Sequence, residues 1–196
     1  MNERCDAVVL AGGAASRMGG VDKPGLTVAG RSLLEHVVST VRAHAPTAGV
    51  VVVGPERERP RARYVREDPP GTGPVPALRA GFARVEAPRV VLLAADLPYL
   101  APDHLVALDE ALDGSPKSAG AVLVDEAGRE QWLTGVWRTG PLAAALSVYS
   151  GRSLHGLLGP LAPAHVAFST RGRGFDVDTP RDLDRARSDL EGDRRR

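Results

Sequence analysis

The sequence predicts an α/β fold with a mostly parallel central sheet and helices on both of its faces. Short apolar runs alternate with segments of helical periodicity over the first half of the chain, which is typical of strands joined by helical crossovers. One run, Val50–Val53, is continuously β-branched, as in a strand buried on both faces of a parallel sheet. The 196 residues are 43% hydrophobic, which suits a single domain, assigned to 1–190, followed by a disordered tail at 191–196.

The first half of the chain divides into strands and helices by its apolar spacing. The predicted strands are short apolar runs at 7–10, at 50–53, ending at Val65, and at 90–94. The first predicted helix begins after Ser32, because Ser32 and Glu35 have the spacing of a capping box. Helical spacing continues to Val41 and returns over 75–85.

The second half of the chain continues with shorter elements. They comprise a helix at 105–112 ended by Gly114, strands at 121–124 and 132–137 around a turn, a helix containing Leu142 and Leu146, a helix capped by Ser153, and a strand at 166–168. Thr179 and Pro180 then have the residue types of a helix N-cap and first position. The sequence therefore predicts a last helix that begins at Pro180 and buries Leu183, Ala186 and Leu190.

Composition and charge exclude several classes of function. The formal net charge of +1 gives no basis for nucleic acid or an anionic membrane as a partner. The single cysteine, Cys5, excludes an internal disulfide and a cysteine-based metal site, which fits a reducing compartment. No stretch approaches the roughly 20 apolar residues that span a bilayer, and the first apolar run is too short for a signal peptide. The sequence therefore predicts a cytoplasmic protein.

A glycine-rich segment with two cations, LAGGAASRMGGVDKP at residues 10–24, follows the first strand. It lacks the spacing of a P-loop or of the dinucleotide fingerprint, yet Gly12 and Gly13 can turn backbone N–H groups toward an anion. Arg17 adds a forked guanidinium and Lys23 a compact charge, and Lys23 is one of only two lysines among 25 basic residues. The alternative is an ordinary glycine-rich turn with solvated charges, but the two cations favour phosphate binding.

Acidic residues follow the later strands. Asp96 ends the central strand, where a carboxylate is costly to bury unless it is paired or holds a metal such as Mg²⁺; capping of the next turn is the alternative. Asp176 and Asp178 alternate, as on one face of a strand. Asp178 can therefore share one Mg²⁺ with Asp96, or both acids can simply face a helix N-terminus. Asp68, before the loop at 69–74, can accept hydrogen bonds from a guanine edge or belong to a plain connector.

The glycine-rich segment resembles the signature of the nucleotidyltransferase family and, within it, of the MobA-like molybdenum cofactor guanylyltransferases. That signature is similar to LAGGxSxRMGxDK, and residues 10–23 meet each fixed position if Gly20-Val21 carries one extra residue. Weaker matches follow in family order over nearly the whole chain: Glu67-Asp68 before Gly73-Pro74 and Gly81, Asp96-Leu97-Pro98, residues 132–137, and Asp178-Thr179-Pro180.

The resemblance implies a Rossmann-like nucleotidyltransferase fold and an enzyme that transfers GMP from GTP to the phosphate of molybdopterin, with release of pyrophosphate. It implies Arg17, Lys23 and Asp96 as catalytic residues, and Mg²⁺ as cofactor on Asp96 with Asp178. The nucleotide site that it implies comprises Leu10, Ala11, Gly12, Gly13, Arg17, Lys23, Asp68 and Asp96. GTP and molybdopterin are the expected partners, together with cofactor-delivery proteins or the acceptor molybdoenzyme.

Three residues depart from the family pattern. Gly54 stands where asparagine is frequent after the second strand, Asp176 stands in place of another frequent asparagine, and Pro76 replaces a small residue. These positions concern recognition of the base and the acceptor more than phosphate chemistry.

Alternative functions stay open at this point. A cytidylyltransferase acting on the same pterin, or a sugar-phosphate nucleotidyltransferase, is the alternative enzyme, although Gly12 and Asp22 favour guanine over cytosine. A non-catalytic protein that binds nucleotide or pterin and delivers it is the alternative outside enzymes. Such a protein is expected to have lost Lys23 or Asp96, and both are present.

Overall fold

The computed structural model of the chain describes residues 4–12, 21–168 and 176–193. The strands within these ranges are β1 (Cys5–Leu10), β2 (Thr27–Val28), β3 (Arg31–Ser32), β4 (Val50–Val53), β5 (Arg63–Val65), β6 (Arg89–Ala94), β7 (Gly120–Val124), β8 (Glu130–Arg138) and β9 (Ala164–Ala167). The helices are α1 (Leu33–His44), α2 (Pro74–Phe82), α3 (Pro102–Asp113), α4 (Thr139–Val148), α5 (Leu154–Leu158) and α6 (Pro180–Asp193). None of these helices has the length and apolar character needed to cross a membrane.

A seven-stranded sheet has the order β5-β4-β1-β6-β8-β7-β9. Parallel pairing joins β1 to β4 and β6, β4 to β5, and β7 to β9. Only β8 runs against its neighbours β6 and β7, and β7 and β8 form the strand pair that the sequence predicted. The small antiparallel pair β2–β3, which the sequence analysis missed, forms a separate sheet. The predicted mostly parallel sheet is confirmed.

Helices cover both faces of the sheet, as predicted. Alternate residues of β1 point to opposite faces, so Val9 joins the core beneath α1 and α3, while Val8 joins the core beneath α2, α4 and α5. A third, smaller core joins the β2–β3 pair to α6 through Leu33, Val177 and Leu183. This third core brings the segment that precedes α6 back to the central strands.

Side-chain caps fix where three helices begin, at the positions the sequence indicated. The side-chain oxygen of Ser32 accepts from the Glu35 N–H (3.1 Å), and Glu35 accepts from the Ser32 N–H (2.9 Å). Thr179 and Asp182 exchange the same pair of bonds before α6, and Ser153 caps α5. Helix α6 continues to Asp193, so residues 191–193 are helical rather than part of the expected tail. Strand β9 lies at Ala164–Ala167, two residues earlier at its start than predicted.

Candidate active site

A cavity lies where the strand order changes direction. The chain runs from β1 outward to β4 and β5, then returns to place β6 on the other side of β1. The carboxyl ends of β1 and β6 lie side by side at this change of direction, which is where open α/β sheets bind their ligands. A cavity of about 520 Å³ opens at this edge, and residues that follow the two strands line it, including Gly12 and Asp96. Its volume is in the range of small-molecule sites.

Lys23 joins two acidic segments inside this cavity. Its Nζ donates to Asp178 Oδ1 at 2.8 Å and to Asp96 Oδ2 at 3.4 Å. The backbone N–H of Val177 donates to the carbonyl of Asp96 (3.1 Å), which ties the segment before α6 to the end of β6. Carboxylate oxygens of Asp96, Asp176 and Asp178 consequently lie within 4.8 Å of one another. The structure thus brings together residues from three distant parts of the chain.

Two acids of this cluster, Asp96 and Asp176, lie in surroundings that disfavour negative charge. Burial raises the pKa of Asp96 above its ordinary value, despite the opposing attraction of Lys23. Partial loss of water and the neighbouring charges of Asp178 and Asp96 also raise the pKa of Asp176. For Lys23, burial alone would lower the pKa, but its bonds and charge pairing with Asp178 and Asp96 outweigh burial and raise it. In the described part of the cluster, one ammonium faces three carboxylates.

The chemistry of this donor set fits a hard divalent cation. Each of the three aspartates offers a carboxylate oxygen to a common space, and Mg²⁺ prefers carboxylate oxygens together with phosphate oxygens and water. Asp96 and Asp178 were predicted as metal ligands from their positions. Asp176 is a further candidate that the prediction left out, although its alternation with Asp178 was the available signal. Residues 176–178 do not form a strand, however, and the hydrogen bond from Val177 positions them instead.

The nucleotide-binding residues expected from the sequence are only partly brought to the cavity. Leu10, Ala11 and Gly12 line it, whereas Gly13 and Arg17 lie outside the described residues. Asp68 is exposed and is not part of the described cavity wall, while its neighbour Glu67 is. Glu67 accepts from the backbone N–H of Gly71 at 2.8 Å, within the loop that leads to α2. Glu67 is therefore the carboxylate of this pair that lines the cavity.

Gly54, where the family frequently has asparagine, packs against the segment that begins the nucleotide site. A Cβ at Gly54 would lie 2.9 Å from the carbonyl oxygen of Ala11, closer than side chains approach backbone. A side chain could enter only if one of the two segments moved. Glycine at position 54 therefore allows the end of β4 to lie close to the backbone of Ala11.

Comparison with solved structures shows which proteins share this fold. The fold is that of the Rossmann-like nucleotidyltransferases: molybdopterin-guanine dinucleotide biosynthesis protein A from Archaeoglobus fulgidus superposes with a TM-score of 0.68 at 18% identity over 95% of this chain and 99% of that one. The 2-C-methyl-D-erythritol 4-phosphate cytidylyltransferase from Thermus thermophilus gives 0.67 at 18% identity over 96% and 99%.

Sequence comparison then identifies the family. The model of the MobA-like NTP transferase domain matches residues 7–166. A relative from Natronomonas pharaonis, named as a probable molybdenum cofactor guanylyltransferase, is 31% identical over 97% of this chain and 100% of its own length. The chain belongs to the MobA-like NTP transferase family.

Proposed function

We propose that this protein transfers GMP from GTP to the terminal phosphate of molybdopterin, with Mg²⁺ as cofactor and pyrophosphate as the second product. In this reaction a phosphate oxygen of the pterin forms a bond to the α-phosphorus of GTP, and the bond between that phosphorus and the β-phosphate oxygen breaks. The names of the full-length relatives support this choice of substrates. The cytoplasm, and cofactor-delivery proteins or a molybdoenzyme as later partners, belong to the same proposal.

One observation carries the proposal: Lys23, Asp96 and Asp176 line a cavity at the change of strand order, and Lys23 also contacts Asp178 beside it. A solvated lysine or a capping aspartate would have no reason to converge there from segments 73 and 155 residues apart. Phosphoryl and nucleotidyl transfer needs little covalent chemistry from the protein, and instead needs reactants held in line and negative charge neutralised. The cluster contains both kinds of charge that this task requires.

The residues have separate tasks in this proposal. Lys23 places its compact ammonium on the phosphates, because that group carries three N–H donors and can contact phosphate while it keeps a carboxylate partner. Asp96 and Asp178, with Asp176 beside them, would hold Mg²⁺. When bound, the metal neutralises phosphate charge and orients the reacting phosphate. The buried floor formed by Leu10 and Ala11 excludes water from one side of the nucleotide.

The choice of base can be tested by calorimetric titration with GTP, CTP and ATP in the presence of Mg²⁺. GTP is expected to bind at least about tenfold tighter than CTP, a difference near 1.4 kcal/mol. Transfer of label from α-³²P-GTP to molybdopterin, with equal release of pyrophosphate, is the matching activity assay. Tighter binding and faster transfer with CTP would replace the guanylyl assignment by a cytidylyl one, while the family would stand.

A further inference from the structure

A bidentate ion pair holds the residue next to Lys23. The Nη1 of Arg57 donates to Asp22 Oδ2 at 2.6 Å, and the Nη2 of Arg57 donates to Asp22 Oδ1 at 2.5 Å. Each nitrogen therefore contacts one carboxylate oxygen. Forked pairs of this kind fix orientation as well as distance. The third nitrogen of Arg57, Nε, is buried and has no hydrogen-bond partner among the described residues. The side chain of Arg57 is 21% exposed. Its hydrogen bonds to Asp22 therefore replace hydrogen bonds that its guanidinium would otherwise make to water.

Asp22 begins the short turn that carries Lys23. The turn is a 3-10 helix at Lys23–Gly25 with Asp22 as its N-cap. The Gly25 N–H donates to the Asp22 carbonyl at 3.1 Å, and the Leu26 N–H donates to the Lys23 carbonyl at 3.0 Å. A Cβ on Gly25 would collide with Asp22 Oδ2 and lie 3.2 Å from Arg57 Nη1. The turn, the carboxylate and the guanidinium are therefore packed closely against one another.

The segment that carries Arg57 is itself anchored to the sheet. It leaves β4 at Gly54, whose N–H donates to the carbonyl of Val65 on the neighbouring strand (2.9 Å). It returns to β5 near Tyr64, whose hydroxyl donates to the carbonyl of Pro60 (2.9 Å). Arg57 thus reaches Asp22 from a loop that is tied at both ends. The ion pair connects this rigid support to the turn that aims Lys23.

We propose that Arg57 is a positioning residue: through Asp22 it holds the Lys23 turn so that the Lys23 ammonium stays between Asp96 and Asp178. Arg57 does not line the described cavity and has no contact with the reacting atoms in this account. The effect of this positioning on catalysis rests on the proposed function, but the placement of Lys23 can be tested without any substrate.

The small number of lysines makes a direct spectroscopic test possible. Lys23 and Lys117 are the two lysines of the chain, so ¹⁵N labelling of lysine side chains gives two ammonium signals. Lys117 is exposed and provides the reference for an unrestrained ammonium. At fixed pH, the Nζ of Lys23 is expected to be more ordered and to exchange its protons more slowly than that of Lys117.

Arg57→Gln removes the fork without adding a third lysine. In this variant the Lys23 signal is expected to approach the mobility of Lys117. Arg59→Gln is the matched control, because Arg59 lies in the same loop but lines a separate groove beside α1, and it should leave the Lys23 signal unchanged. Asp22→Asn breaks the same pair from the other side and should reproduce the effect, so it decides the test if Arg57→Gln melts early. An ordered Lys23 in both variants would overturn the proposal.

Transfer kinetics give the second test. Arg57→Gln is expected to lower kcat at saturating GTP by about 10-fold to 100-fold, since small misplacements of a charged group cost this much. Added to Lys23→Ala, the same change should have no further effect, because its action passes through Lys23. A wild-type rate in a variant whose Lys23 is mobile would overturn the positioning role. Absence of transfer in the unsubstituted protein would instead contradict the proposed function, and the spectroscopic result would still decide the placement.

Discussion

Two groups of charged side chains lie at opposite ends of the central sheet, and they are neutralised differently. At the amino end of β1, buried Asp6 accepts hydrogen bonds from the backbone N–H groups of Gly49, Glu86 and Ala87, at 2.8–3.0 Å. Each of these bonds ties a neighbouring loop to β1. The carboxylate of Asp6 is therefore saturated, in the sense that backbone N–H groups of the fold donate to both of its oxygens.

A second saturated group lies beside it, where β6 begins. Buried Arg89 donates to Asp109 Oδ1 at 3.1 Å and also to Asp113. The other oxygen of Asp109 lies 2.9 Å from the Nε2 of His44. His44 thus pairs α1 with α3. These contacts join helices to the sheet.

The carboxyl end of the same strands has the opposite balance, with Lys23 against Asp96, Asp176 and Asp178 in the described residues. Burial raises the pKa of Asp96 in the cavity, and a titratable group perturbed in this way in a cavity marks a candidate functional site. Saturation of Asp6 and Asp109, against a raised pKa at Asp96 and Asp176, therefore distinguishes the structural cluster from the candidate functional one. This difference predicts that substitutions at the two ends affect different properties.

Asp96→Asn tests the functional end and should have the largest effect on rate. It keeps the shape of the side chain and removes the charge that would hold a metal, so transfer is expected to fall by about 10²–10⁴, or 3–5 kcal/mol. The free energy of unfolding should stay the same or rise, because an ionised group that is costly to bury is gone. Transfer is measured over a Mg²⁺ titration, with urea denaturation alongside. A near-normal rate at ordinary Mg²⁺ would move the metal away from Asp96.

Arg89→Met tests the structural end. Loss of the guanidinium leaves Asp109 buried without its cation, so the free energy of unfolding is expected to fall by about 3–5 kcal/mol. The rate per folded molecule should not change. Arg129→Met is the control, because Arg129 is 79% exposed in its ion pair with Asp125, and its denaturation midpoint should not move. If Arg89→Met were equally harmless, saturation would not distinguish the two clusters.

Lys23→Arg asks whether the functional end needs a compact charge. The guanidinium is planar and larger than an ammonium, and the space between Asp96 and Asp178 is set by bonds of 3.4 Å and 2.8 Å to one Nζ. We expect transfer to fall by about tenfold or more, near 1.4 kcal/mol, with an unchanged melting temperature. Wild-type turnover in this variant would show that the site needs the positive charge of Lys23 but not the compact shape of its ammonium.

The smallest expected effect concerns His36, a half-buried group on α1 that belongs to neither cluster. Burial lowers its pKa below the ordinary value of 6.5, its bond to the Leu100 carbonyl opposes this, and Arg31 adds to it. Below about pH 6.5 the unfolded chain therefore binds a proton that the native state resists, so stability should fall as the pH drops from 6.5. His36→Gln should reduce this slope in urea denaturation at several pH values. An unchanged slope would assign the acid sensitivity to other groups.

Local chemistry made much of the fold predictable. Helix starts were predictable because a cap is formed by residues that are close in the sequence. One start is indicated by Ser32 with Glu35, and another by Thr179 with Pro180. The β-branched run Val50–Val53 reveals a buried strand without any knowledge of its neighbours. The order of the seven strands did not follow from such signals, because pairing joins residues that are far apart in the chain.

The candidate site was predictable to the same extent. Lys23 and Asp96 were singled out because each stands out beside its own strand, and both line the cavity. Arg57 was missed because its partner Asp22 lies 35 residues away, and nothing in the local pattern distinguishes it from other arginines of its loop. Glu67 was passed over for Asp68 because adjacent acids carry the same chemistry, and only the path of the backbone shows which one lines the cavity.

If the carboxyl-end cluster binds a nucleotide with a metal through Asp96, ligand binding should stabilise the wild type more than Asp96→Asn. The measurement is the free energy of unfolding of both proteins in urea, with and without GTP and Mg²⁺. At a ligand concentration about 100 times its Kd, the wild type should gain about 2.7 kcal/mol. Asp96→Asn should gain less than about 1 kcal/mol under the same conditions, which corresponds to a Kd weakened at least about 20-fold. An equal gain in both proteins would contradict the claim, because binding would then not depend on Asp96.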